Sequence, residues 1–151
     1  MVDIVDITVS EITAYKNFKD VVEHYSRLDN HPDVKAEIDI NVYLNLEKAG
    51  LLKVVAVVDG DTLCGFGTVV TTYANHLAQK VAWIESLYVL PRYRAHHTGV
   101  HLLKYLMQKA RETGCIGCTL TAQKGSELEK VYSRLYQATS TVFWKSFKGE
   151  K

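Results

Sequence analysis

The sequence predicts an α/β (α+β) fold, a sheet with helices packed on it, built as a single domain over residues 1–151. Three features carry that prediction. Two β-rich runs flank Asp59-Gly60-Asp61, a strong local signal for a hairpin. A third β-rich run, Lys80 to Leu90, ends at Pro91 and feeds directly into an amphipathic helix. Strand and helix periodicities succeed one another with no internal repeat, low-complexity tract or linker between them.

Residues Asp3 to Val9 alternate Ile4, Ile7 and Val9 with polar neighbours and predict a first strand, after which Ser10 is placed to cap a helix. That helix carries Ile12, Tyr15, Val22, Tyr25 and Leu28 at helical spacing. A second helix, with Pro32 in its first turn, shows Val34, Ile38 and Val42 on one stripe and stops at Gly50. The hairpin then pairs Leu51 to Val58 with Leu63 to Tyr73. Beyond the strand Lys80 to Leu90, the chain turns through Arg92-Tyr93-Arg94-Ala95-His96-His97. The helix that follows presents Val100, Leu102, Leu103, Leu106, Met107 and Ala110 and closes at Gly114. Ile116 to Ala122 predicts a further strand. Ser126 and Glu129 form a capping box for a last helix with Leu128, Val131, Leu135 and Tyr136, and Val142 to Phe147 reads as a closing strand.

Composition narrows the function. Apolar residues make up 47% of 151, enough for one substantial core. Lys and Arg total 18 against 17 Asp and Glu, so a charge of +1 gives no support for bulk nucleic-acid binding, and phosphate recognition has to be local. The longest apolar stretch, Val54 to Val58, is too short to cross a membrane, and the amino terminus has no signal-like core. Cys64, Cys115 and Cys118 are an odd set without a secretory signal, which favours reduced thiols and a soluble, cytoplasmic protein.

A strand feeding a helix amino terminus leaves backbone N–H groups pointing out of the turn, at the positive end of the helix dipole. Here the turn also carries Arg92 and Arg94 and ends in Gly99, where a missing side chain lets a phosphate approach the backbone. The run from Trp83-Ile84-Glu85-Ser86-Leu87-Tyr88-Val89-Leu90-Pro91-Arg92-Tyr93-Arg94 to Gly99 and Leu102-Leu103 closely resembles the acyl-CoA-binding signature of the GCN5-related N-acetyltransferases.

That resemblance implies a mixed, mostly antiparallel sheet of about six to seven strands with a splayed central parallel pair, and about four helices. It implies transfer of an acetyl group from acetyl-CoA, with no metal, to a primary amine of a small molecule or protein by direct attack in a ternary complex. The main chain of Leu87, Tyr88 and Val89 would hold the pantetheine arm, with a backbone N–H there stabilising the developing oxyanion. The turn of Arg94, Ala95, His96, His97, Thr98, Gly99 and Val100 would hold the pyrophosphate. Glu85 would be the general base that deprotonates the incoming ammonium; a solvated strand carboxylate is the alternative. Tyr132, in Tyr132-Ser133-Arg134-Leu135, would return a proton to the CoA thiolate, or else be a core aromatic beside Leu128, Val131 and Leu135.

The chain departs from the family pattern at three places. His97 stands where the turn's inner glycine belongs, Gly125 replaces an asparagine before the last helix, and Tyr136-Gln137 replaces the Gly-Phe after it. The irregular turn motivates a rival reading, a binding or interaction protein that keeps the fold without efficient catalysis.

Near the junction of the first two helices, Asp29, Asp33, Glu37 and Asp39 either select a cationic amine or form a solvated face, and His24 and Tyr25 stand with them as acceptor-site candidates. His97 and His101 have metal-ligand spacing without a third ligand. Cys115-Ile116-Gly117-Cys118 has redox spacing at the wrong end of an element. Neither nucleic acid nor membrane is expected as a partner. A homodimer through the aromatic surface of Phe143, Trp144 and Phe147 competes with pairing of those residues inside the fold.

Overall fold

A computed structural model describes residues 1–28, 34 and 36–150. Among them the chain runs β1 (Asp3–Ile7), α1 (Val9–Thr13), α2 (Phe18–Leu28), α3 (Ile40–Lys48), β2 (Leu52–Asp59), β3 (Thr62–Ala74) and β4 (Gln79–Val89). A short 3-10 turn, Pro91–Tyr93, and a tight turn over Ala95–His97 lead into α4 (Thr98–Glu112), followed by β5 (Cys118–Leu120) and α5 (Glu127–Leu135).

The five strands form one sheet in sequential order, antiparallel throughout except for the parallel pair β4–β5. The expected α/β class is therefore what the chain adopts, with a mostly antiparallel sheet. Among the described residues five strands stand where about six to seven were expected, and the parallel pair lies at the edge of their sheet instead of its centre.

Helices cover both faces. Val54, Ala56 and Val58 of β2 pack with Val9, Ile12 and Val21 of α1 and α2 on one face. Val55 and Val57 pack with Leu102, Leu103 and Leu106 of α4 on the other. An unbroken Val54–Val58 apolar run is what a strand buried on both faces requires. The three α4 leucines are at most 1% exposed, and each contributes about 1.5–3 kcal/mol of burial that fixes α4, and hence its amino terminus, against β4.

Gly60, at φ 57°, makes the expected hairpin turn. A side chain at Gly65 would overlap the carbonyl oxygen of Tyr88 and the Cα of Val89, so this glycine lets β3 press against the end of β4.

Several expected boundaries move for local reasons. The first long helix breaks in two at residues 14–17, where the Asn17 amide takes the place of a strand partner: Nδ2 donates to the Leu63 carbonyl at 2.8 Å and Oδ1 accepts from the Leu63 N–H at 3.1 Å. Thr8, not Ser10, caps α1, its hydroxyl accepting from the Glu11 N–H and donating to the Glu11 carboxylate. The break makes five helices among the described residues where about four were expected.

The next helix starts only at Ile40, capped by Asp39, so Val34 and Ile38 lie outside it; Pro32 falls outside the described residues. Ser126 caps α5 through the Glu129 N–H, as the capping box predicts. The fifth strand shrinks to Cys118–Leu120, pairing only with Ala82, Trp83 and Ile84.

Residues 142–147 are not a strand: Val142, Phe143 and Phe147 are 73%, 89% and 75% exposed. Their β-rich composition is a preference for a half-buried pleated surface, and without a ladder partner that preference has nothing to act on.

Candidate active site

The site begins with a single extra residue in β4. Thr68 pairs with Ser86 and Val69 with Ile84, which leaves Glu85 without an opposite number in β3, a β-bulge. Before it, Ala82 and Ile84 point to the α4 face; after it, Leu87 and Val89 do. Glu85 and Ser86 are consecutive yet lie on the same side, toward α3, where Tyr88 and Leu90 also pack.

The bulge also coincides with the end of parallel pairing, since Ile84–Leu120 is the last β4–β5 pair. From there β4 continues alone on that side. Main-chain direction follows from alternation: the Leu90 N–H donates to Cys64 of β3, whereas the Val89 carbonyl faces away and accepts from Arg94 Nε at 2.8 Å. Val89 and Leu87 therefore turn their backbone N–H groups toward the gap that β5 has left.

Glu85 is half-buried and firmly held. Tyr43 of α3 donates its hydroxyl to Oε1 at 2.7 Å, and Thr68 of β3 donates to Oε2 at 2.5 Å. Thr68 Oγ1 also lies 2.6 Å from Ser86 Oγ. A hydroxyl has one proton, so with Thr68 donating to Glu85 Oε2 the chain reads Ser86 to Thr68 to Glu85. Each carboxylate oxygen keeps a lone pair for a water or an ammonium.

Sequence reasoning missed Tyr43, Thr68 and Ser86. Thr68 and Ser86 are polar interruptions of apolar runs, a visible signal, but their pairing depends on the bulge; Tyr43 arrives through a contact 42 residues long that no local pattern encodes.

The turn adopts an unusual backbone. His96 (φ 58°, ψ 30°) and His97 (φ 60°, ψ 31°) are both left-handed. Histidine tolerates that region better than most residues, yet each such residue costs about 1–2 kcal/mol. The glycine expected at His97 would have avoided the cost.

No side chain caps α4, unlike α1, α3 and α5. Its first-turn N–H groups lack intrahelical partners, and a Cβ on Gly99 would meet nothing within 4 Å. An uncapped helix start, an open glycine and main-chain donors along the gap fit the diphosphate and amide-rich arm of a CoA ester. Thr98 is buried and its hydroxyl closes the turn by donating to the Ala95 carbonyl at 2.8 Å. The Arg94 guanidinium stacks 5.7 Å from the Tyr88 ring, and that ring belongs to an aromatic cluster with Tyr25 and Phe66.

Tyr132 of α5 packs beside the α4-side core and borders a cavity of about 650 Å³ between α4, β5 and α5, with Cys118 on the same wall. Burial, reinforced by the neighbouring Cys118 and Tyr136, raises its phenol well above the usual range. Burial likewise pushes the Cys118 thiol up to about 11, the opposite of a reactive redox cysteine.

Of the acceptor candidates, Tyr25 is in the aromatic cluster, His24 is exposed on α2, and Asp29 lies outside the described residues. Asp39 spends its carboxylate on the Asn41 N–H. Among the described residues no three His, Cys, Asp or Glu side chains gather as metal ligands, and no helix is long and apolar enough to cross a membrane.

Comparison with solved structures finds the same fold in acetyltransferases of varied substrate. A ribosomal-protein-alanine N-acetyltransferase from Brucella melitensis biovar Abortus 2308 is 17% identical, covers 99% of this chain and 100% of its own, and superposes with a TM-score of 0.74. A glucosamine-6-phosphate N-acetyltransferase from Arabidopsis thaliana is 16% identical, with 98% and 99% coverage and a TM-score of 0.74. An aminoglycoside acetyltransferase from an uncultured soil metagenomic sample, solved with sisomicin, is 14% identical, with 97% coverage of both chains and a TM-score of 0.75. Comparison with curated protein sequences gives no significant match. The acetyltransferase (GNAT) family profile matches residues 16–135, from the turn before α2 to the end of α5, and the chain belongs to that family of acetyl-CoA-dependent N-acetyltransferases.

Proposed function

We propose that the chain, acting as one domain, transfers the acetyl group of acetyl-CoA to a primary amine of a small molecule or protein by direct attack, with Glu85 as the base. The observation that carries this reading is the bulge at Glu85. One inserted residue ends the β4–β5 pairing, turns the Leu87 and Val89 main chain into the gap, and sets a carboxylate beside it on the α3 side.

The residues that would hold the CoA ester are the main chain of Leu87 and Val89, the turn from Arg94 to His97, and the α4 start from Thr98 to Val100. Bound there, acetyl-CoA supplies the thioester carbonyl and a thiol leaving group. An amine arrives at neutral pH as an ammonium ion, and Glu85, held by Tyr43 and Thr68, takes its proton directly or through one water. A backbone N–H in the gap donates to the carbonyl oxygen as charge builds on it. Tyr132, protonated at neutral pH like any tyrosine, would return a proton to the departing sulfur, although the burial that raises its phenol makes it a weaker acid than a free tyrosine.

The test is thiol release from acetyl-CoA with an amine panel. Glu85→Gln, which keeps shape and removes basicity, is expected to cut turnover by about 10²–10⁴-fold while leaving CoA affinity nearly unchanged. Equal activity would remove Glu85 from the mechanism.

A second reading, a chain that keeps the fold as a binding protein, is favoured by the two left-handed histidines in the phosphate turn. It predicts weak CoA binding with no thiol release.

A further inference from the structure

An amine that attacks a thioester held in the gap places its nitrogen between Glu85 and the β4 main chain at Leu87 and Val89, so the rest of the acceptor leads away from the gap. Two sides of the Glu85 carboxylate are taken, by the Tyr43 hydroxyl from α3 and the Thr68 hydroxyl from β3. Along β4 the stretch before the bulge remains. There Ala82 and Ile84 turn toward α4, so strand alternation puts Val81 and Trp83 on the other face, the one that Glu85 occupies.

The helices leave that part of the face open. Val70 of β3, opposite Trp83, still packs with the core under α1–α3, whereas Thr72, two residues on, is exposed. On the other flank Trp83 pairs with Thr119 of β5, which is exposed too. Trp83 itself is 41% exposed although it has a strand on each side. With a rise of about 3.3 Å per residue it stands roughly 7 Å before Glu85. The first carbons of an amine hydrogen-bonded to Glu85 reach the indole over that distance.

We infer that Trp83 is a specificity-determining residue for the acceptor, its indole the platform on which the acceptor's first carbons lie while the nitrogen meets Glu85. The inference rests on the reading of Glu85 as the base. An ammonium and the carbons it polarises are attracted to the negative face of an indole. Covering that exposed ring also releases water from apolar surface. Neither gain grows as the new bond forms, so Trp83 acts on KM and not on kcat.

The experiment compares the wild type with Trp83→Leu, which keeps apolar bulk and removes the aromatic face, and with Trp83→Phe, which keeps a face. Thiol release is followed with butylamine, phenethylamine and spermidine, and CoA affinity and melting temperature are measured for each variant. Trp83→Leu is expected to raise KM for the acetylated amines by about threefold to thirtyfold at unchanged kcat and CoA affinity, the span of a cation–π contact. Trp83→Phe is expected to lie nearer the wild type. The chain has two tryptophans, so Trp144→Phe leaves Trp83 as the sole indole emitter, and its fluorescence with CoA present is expected to change saturably with amine.

An unchanged KM in Trp83→Leu, or a parallel loss of CoA affinity and melting temperature, overturns the inference and leaves the acetyltransferase reading standing. If no amine is acetylated but Trp83 emission saturates with amine, the platform stands and the transferase reading falls. If neither is seen, both fall.

Discussion

Replacing Gly99 with alanine separates what the fold requires from what a ligand requires. Gly99 lies in the first turn of α4 without a positive φ, and a Cβ built on it meets no atom within 4 Å. The fold gives no reason for glycine there, and helix propensity gives a reason against it: alanine is expected to stabilise the ligand-free protein by about 0.5–1 kcal/mol. For a chain of this size 1 kcal/mol moves the melting temperature by roughly 2–4 °C, so the variant should melt about 1–4 °C higher.

With CoA at a hundred times its Kd, the wild type gains about 2.7 kcal/mol by mass action. A methyl group that crowds the diphosphate and weakens binding tenfold reduces the variant's gain at the same concentration to about 1.4 kcal/mol. The order of stability then inverts: the variant melts above the wild type alone and below it with CoA. Scanning calorimetry with and without CoA reads both numbers. An alanine variant that gains as much from CoA as the wild type would refute the claim that phosphate approaches the backbone at Gly99.

His97→Gly is expected to relieve about 1–2 kcal/mol of left-handed strain, partly offset by about 0.5–1 kcal/mol of glycine's unfolded-state freedom. The net gain of roughly 0.5–1 kcal/mol should appear in urea unfolding, and lower stability would show that the histidine side chain does something the turn needs. Tyr43→Phe removes a donor to Glu85 without changing shape, and should lower kcat by about tenfold at unchanged CoA affinity; unchanged kcat would make that hydrogen bond incidental. Tyr132 and Cys118 are both held neutral by burial, so their stabilising contribution is complete below their unfolded values and fades as pH rises. For Cys118 the window runs from 9.0 to about 11, and for Tyr132 it opens at 10.0. Unfolding free energy should fall across that range, less steeply in Tyr132→Phe; a flat profile up to pH 11 would mean these groups are not buried as described.

Local chemistry was legible where it is self-contained. The Asp59-Gly60-Asp61 hairpin, the Ser126–Glu129 box and the Gly114 helix stop (φ 82°) each satisfy their own backbone, so a short window of sequence was enough. Elements whose limits depend on distant partners were less so: Asn17 breaks a helix because Leu63 needs it, and residues 142–147 have strand composition but no ladder to join. The strand half of the site followed from its wording, yet the bulge at Glu85 was not visible, because a bulge is a count of residues against a partner strand. For the same reason Thr68 and Tyr43 went unseen, while the His97 departure was plain in the sequence and has a direct counterpart in its φ of 60°.

Calorimetric titration of acetyl-CoA into the full chain tests the central claim most directly, that β4, the gap beside it and the α4 start form a CoA-ester site. The account predicts saturable one-to-one binding with a Kd between about 1 μM and 1 mM, the usual range for a working substrate. No heat of binding with acetyl-CoA in the millimolar range would contradict it.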